Sequence, residues 1–161
     1  MKLFFSFLTS LFLSTSVFAD QGISDTEILV GMHTDISGPA SMIGKQSVDG
    51  ANMRFEEFNK KGGAYGRTIK FIVEDHQYTV PRAVQASNKL LRKDKIAFML
   101  GSLGTPMNNA VMTDQLSMNV PNLFPLTAAR SMFDPFHKLK FTSGSTSVSY
   151  THLTLPTTRL V

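Results

Sequence analysis

An α/β fold, a parallel sheet with helices on both faces, is what this 161-residue sequence predicts. Two observations carry the expectation. Short apolar runs alternate with segments of helical spacing, and the connections between them are short and marked by glycine and proline. A chain of this length can bury the core such a domain needs.

The elements follow in order. Ile28–Met32 is an apolar run suited to a buried strand, and it breaks at Ser37-Gly38-Pro39. Val48, Ala51, Phe55 and Phe58 then fall at helical spacing, and Asn59-Lys60-Lys61-Gly62-Gly63 closes that helix with cations and glycine. Ile69–Val73 reads as a second strand ending at Glu74-Asp75. Thr79-Val80-Pro81 opens a second helix with Val84, Ser87 and Leu91 on one face and Leu90 beside them. Ile96–Leu100 is a third strand, and a third helix ends near Met118-Asn119. Val120–Phe124 is a short fourth strand, and Lys138–Thr142 begins a candidate fifth.

The most informative stretch is Gly101-Ser102-Leu103-Gly104-Thr105-Pro106, after the third strand. Thr105 sits where a helix N-cap belongs, with Pro106 at the first helical position, where a missing N–H costs nothing. Its bland reading is a cap and no more. Its functional reading is a hydroxyl and free backbone N–H groups delivered to the carboxyl edge of the sheet, a place suited to a small carboxylate. The loops Ser37–Ser41, Ser102–Thr105 and Leu126–Ala129 should converge at that edge, which favours the functional reading.

The two ends stand apart. Met1-Lys2, the apolar stretch Leu3–Phe18 and Val17-Phe18-Ala19 read as a secretory signal peptide over residues 1–19, with an uncleaved anchor as the weaker alternative. Residues 20–147 are read as the N-terminal part of a ligand-binding lobe. Val148–Thr157 is also the translation of GTC TCT TAT ACA CAT CTG ACG CTG CCG ACG, which resembles a transposase adapter used in sequencing libraries. Residues 148–161 are therefore read as a non-native tail, with the native gene cut near Ser147.

Composition narrows the function. The chain has no cysteine, which excludes disulfides, a thiol nucleophile and a lipid-modified cysteine after the signal. Net charge is +4, but setting aside Lys2 and Arg159 leaves fourteen basic against twelve acidic residues. With no basic run interleaved with aromatics, nucleic acid is not an expected partner. The glycine loop lacks both G-x-G-x-x-G spacing and a P-loop lysine, and no G-x-S-x-G elbow appears. His33, His76 and His137 are scattered and read as loop or packing residues. Glu74 and Asp75 are adjacent at a strand end, so they point to opposite faces and do not easily share a proton. Asp75 reads as an acceptor for backbone N–H groups in its own turn, and the methionines read as packing residues. No catalytic constellation, metal site or cofactor site emerges.

The ordered set Ser37-Gly38-Pro39-Ala40 with Gly44, Gly50-Ala51, Asn59–Gly63 with Gly66-Arg67, Glu74-Asp75, Gly101–Pro106 and Val120–Ala128 resembles one family. It is similar to the solute-binding proteins of branched-chain amino acid ABC transporters, a type I periplasmic binding fold, over roughly Glu27–Thr142. The resemblance implies the incomplete first lobe of a two-lobed, non-enzymatic periplasmic receptor. That receptor would bind a branched-chain amino acid or another small carboxylate and present it to an inner-membrane ABC permease. It also implies that Thr105 and backbone groups at Leu126, Thr127 and Ala128 receive the α-carboxylate and ammonium, with Gly104 in the same cradle. Ala40, Ser41 and Ile43 would line the mouth. Two departures loosen the specificity: Ile43 stands where a bulkier polar or aromatic residue is common, and Leu-Thr-Ala-Ala replaces Ala-Ala-Thr after the fourth strand. A ligand-sensing domain of a signalling system and an exported α/β enzyme are the alternatives from other classes.

Overall fold

A computed structural model describes residues 21–144, and its sheet has five strands, all parallel, in the order β2-β1-β3-β4-β5. The signal-peptide and tail assignments, residues 1–19 and 148–161, lie outside the described residues. The strands are β1 (Glu27–Thr34), β2 (Thr68–Asp75), β3 (Phe98–Leu100), β4 (Asn122–Leu123) and β5 (Lys140–Phe141). The helices are α1 (Ser41–Lys60), α2 (Val80–Asn88) and α3 (Thr105–Ser117). Among the described residues no helix is long and apolar enough to cross a membrane.

Helices cover both faces. Val30 and Phe71 lie in register on one side, where α1 packs on β2 and Phe55 meets Phe71 edge-on at 5.2 Å. Val48, Ala51, Phe55 and Phe58 form the less exposed stripe of α1, as their spacing predicts. On the other side α2 and α3 pack against each other, above a core of Leu90, Leu91, Ile96, Met99 and Val120 with Leu29, Ile72 and Met118.

Three details differ from the sequence reading. The buried face of α2 is Ala83, Ala86 and Ser87, running on to Leu90 and Leu91, while Val84 is exposed. These positions recur at helical spacing through the π-turn over Lys89–Lys93, so Ser87, Leu90 and Leu91 are buried as their spacing predicts and Val84 alone departs. β3, β4 and β5 are shorter than the expected segments Ile96–Leu100, Val120–Phe124 and Lys138–Thr142. Pro121 has no N–H for the ladder and contributes only its carbonyl, which accepts from Met99. Finally, Met32, Met99, Met107, Met112 and Met132 do pack in the interior, but Met42 and Met53 lie exposed on α1.

Candidate functional site

All the strands point their carboxyl ends the same way, so the loops after β1, β2, β3 and β4 share one edge. Two aspartates organise the first two loops. Asp35, buried at the end of β1, accepts from the N–H groups of Gly38 (2.6 Å) and Ala40 (2.7 Å). Asp75, at the end of β2, accepts from the N–H of Ile36 (2.9 Å), the hydroxyl of Ser37 (2.5 Å) and the N–H of Gln77 (2.9 Å). Burial works against the Asp75 charge, but the Ser37 hydroxyl and these N–H groups outweigh it and hold the carboxyl below its usual range. Glu74 turns the other way and pairs with Lys89, so the two adjacent carboxylates serve separate structural roles. Gly44 lets α1 press onto this loop. A Cβ there would lie 1.8 Å from the Asp35 carbonyl oxygen.

The loops after β3 and β4 are joined directly. Gly104 N–H donates to the Leu126 carbonyl (3.3 Å), Leu126 N–H donates to the Ser102 carbonyl (2.9 Å), and Leu103 pairs with Leu126 as a parallel bridge. Buried Asn108 ties the β3 loop to its helix by donating to the carbonyls of Ser102 (2.9 Å) and Gly104 (2.8 Å). The Thr105 hydroxyl is hydrogen-bonded to the Thr127 hydroxyl, which also accepts from Ala129 N–H at 3.3 Å.

Thr105 is not the N-cap that its place before Pro106 predicts. Gly104 takes that position at φ +95, a backbone conformation open chiefly to glycine, and Thr105 is the first residue of α3. The correction leaves the Thr105 side chain uncommitted to capping and available to Thr127. Thr105 N–H and Ala128 N–H take no backbone partner among the described residues, and both residues reach solvent. Leu126 and Gly104, by contrast, spend polar backbone groups on each other. Thus Gly104, Thr105, Leu126 and Thr127 come together, with Ala128 next in the chain. Ala40 and Ser41 stand apart on the β1 loop, and among the described residues no hydrogen bond links them to Thr105 or Thr127. Ile43 is half exposed on the first turn of α1.

Two histidines stand behind this shelf in roles the sequence did not define. His76 is fully buried. Its Nδ1 accepts from Tyr78 N–H (3.0 Å), so the proton sits on Nε2, which donates to the Leu103 carbonyl (3.1 Å). Neutral His76 therefore brackets the β2 and β3 loops. Burial lowers its pKa, outweighing the Leu103 carbonyl, Asp35 and Asp75. His33, also fully buried, lies with its ring 5.5 Å from that of His76, and neither of its ring nitrogens has a hydrogen-bond partner among the described residues. Burial, then the charge His76 would carry, pushes His33 down to about 3. Tyr78 was missed as well. Its only sequence signal is an aromatic residue inside a polar loop between Asp75 and Pro81. Among the described residues no group of three or more His, Asp or Glu is placed to hold a metal.

The edge can therefore offer a hydroxyl pair and unpaired N–H groups at a helix start, the donor set for a carboxylate. Comparison with known proteins agrees with the architecture. The sequence model of the family described as "Periplasmic binding protein" matches residues 27–151. A Leu/Ile/Val-binding protein of Rhizobium johnstonii is 26% identical over 118 residues, 71% of this chain and 31% of that protein. A substrate-binding periplasmic protein from Ralstonia solanacearum superposes with a TM-score of 0.70 at 26% identity, covering 76% of this chain and 35% of that one. A fatty acid ABC transporter substrate-binding protein from Thermomonospora curvata gives a TM-score of 0.68 at 27% identity, covering 78% and 31%. The chain spans less than a third of the length of the curated relatives it matches.

Proposed function

The chain belongs to the periplasmic binding protein family, and from that premise we propose that it is first-lobe sequence of an extracytoplasmic receptor. The receptor binds a small amino acid or related carboxylate and delivers it to an ABC importer through an inner-membrane permease. Its relatives are solute-binding proteins, non-enzymes at the level of the family. Residues 1–19 are the cleaved export signal, 20–147 the N-terminal part of the first ligand-binding lobe, and 148–161 a non-native tail. A native locus encoding that same tail would refute the last assignment.

One observation carries the ligand assignment: the Thr105–Thr127 hydroxyl contact, flanked by the unpaired N–H groups of Thr105 and Ala128. The Thr105 hydroxyl and the N–H groups take the carboxylate. The Thr127 hydroxyl and remaining carbonyl lone pairs of the β4 loop suit an ammonium group. Gly104 and Leu126 shape the cradle, while Ala40, Ser41 and Ile43 form its mouth. The names of the relatives span branched-chain amino acids and fatty acids, which supports a carboxylate as the shared recognition element.

Calorimetry on the intact gene product, titrated with L-leucine and a panel of small carboxylates, tests the reading. One member should bind, and Thr105→Ala should weaken it by about 1.5–3 kcal/mol, the usual worth of a charge-assisted hydrogen bond. Undiminished affinity in the variant rejects the role of Thr105. Binding of no member by the folded protein rejects the function.

A further inference from the structure

Tyr78 is 42% exposed, yet its backbone is firmly held. Gln77 and Tyr78 both lie in the left-handed region, at φ +50 and +56, which is uncommon for non-glycine residues. The turn is fixed by Tyr78 N–H on His76 Nδ1, Thr79 N–H on the His76 carbonyl (2.9 Å) and Gln77 N–H on Asp75. Because His76 also holds the Leu103 carbonyl, the aromatic ring is referenced to the β3 loop as well as its own. The ring edge stands beside Gly104, where a Cβ would come within 3.3 Å of Tyr78 Cε2. Among the described residues the Tyr78 hydroxyl makes no hydrogen bond.

We propose that Tyr78 is the side-chain wall of the binding site, against which the apolar body of the carboxylate held at Thr105 packs; this rests on the reading of Thr105 given above. A tyrosine supplies a large, stiff contact surface with only two rotatable side-chain bonds, so little ordering is required on binding. Here its backbone is already ordered by two neighbouring loops. Tyr65, fully exposed at the turn after α1, has no comparable polar cradle beside it and serves as the control. The ligand class is thereby narrowed to carboxylates bearing an apolar side chain longer than a methyl group.

The test uses matched pairs on the intact protein: L-leucine with L-alanine, and hexanoate with acetate. In the pair that wild type binds, Tyr78→Ala should weaken the longer ligand at least about tenfold and the shorter less than about threefold. Tyr78→Phe should retain the wild-type preference, and Tyr65→Ala should change neither affinity. Equal loss for both ligands, no loss for either, or a Tyr78→Phe defect matching Tyr78→Ala overturns the wall. If folded wild type binds neither pair, the carboxylate reading itself fails and the wall fails with it. That result is distinguishable because it precedes any variant.

Discussion

Acidification should unfold this protein partly through one imidazole. His33 is fully buried on β1, finds no hydrogen-bond partner among the described residues for either ring nitrogen, and has its pKa pushed down to about 3. Its ordinary value in an unfolded chain is about 6.5. As pH falls below that value, the unfolded chain takes up a proton that the folded chain refuses, so stability falls with pH. The stabilising effect of the neutral ring is complete above about pH 6.5 and is lost progressively down to about pH 3, at about 1.4 kcal/mol per pH unit. Between about pH 7.5 and about pH 5 the cost is about 2 kcal/mol, a large share of a typical domain's stability. Urea unfolding followed by circular dichroism at these two pH values, for wild type and His33→Leu, isolates the effect. The substitution also alters packing, but that change is the same at both pH values and cancels. His76 and Asp75 titrate in both proteins. The variant should lose about 2 kcal/mol less than wild type across the interval. Equal losses would refute the burial argument.

Two further outcomes follow from packing. Gly44→Ala places a Cβ 1.8 Å from the Asp35 carbonyl oxygen, against backbone that cannot swing aside. It should cost about 3 kcal/mol or more in thermal or urea unfolding, whereas Gly50→Ala, with nothing within 4 Å of its added Cβ, should be neutral or stabilising. Leu90→Ala removes a fully buried side chain that the π-turn packs into the core with Ile96, Met99 and Val120, and should cost about 2–5 kcal/mol, read as a lower urea midpoint at unchanged m-value.

The fold was legible because its punctuation is chemical. Ser37-Gly38-Pro39, the Lys-Lys-Gly-Gly helix end and the Gly101–Pro106 loop mark where strands stop and helices start, whatever packs around them. The shared edge then follows from the parallel topology. What escaped depended on contacts distant in sequence. Helical spacing found Ser87, Leu90 and Leu91 on the buried face of α2 and its continuation, but the first turn of that face is filled by Ala83 and Ala86 instead of the larger Val84. Thr105 read as a cap because serine and threonine usually are caps; the left-handed glycine before it removed the need. His33 and His76 lie on strands and turns separated by some forty residues, and no local pattern distinguishes a loop histidine from one that brackets two loops. The aspartates were half legible. Asp75 accepts from its own turn as expected, but its reach to Ile36 and Ser37 appears only once β1 and β2 are neighbours.

The contact between Thr105 and Thr127 has a consequence for the sign of the group it faces. Ala129 N–H points at the Thr127 oxygen, so the Thr127 proton is free to point at Thr105, leaving the Thr105 proton for whatever lies beyond. All three dipoles then align toward an incoming negative charge, and each bond polarises the next. Turned the other way, with Thr105 donating to Thr127, the same oxygen presents only lone pairs and faces a positive group. A rotation of two hydroxyls, without any movement of backbone, thus reverses the polarity that the Thr105 oxygen presents. On the proposed reading of this site, the arriving ligand would set the direction of the chain, and the cradle would adapt by moving hydrogens alone.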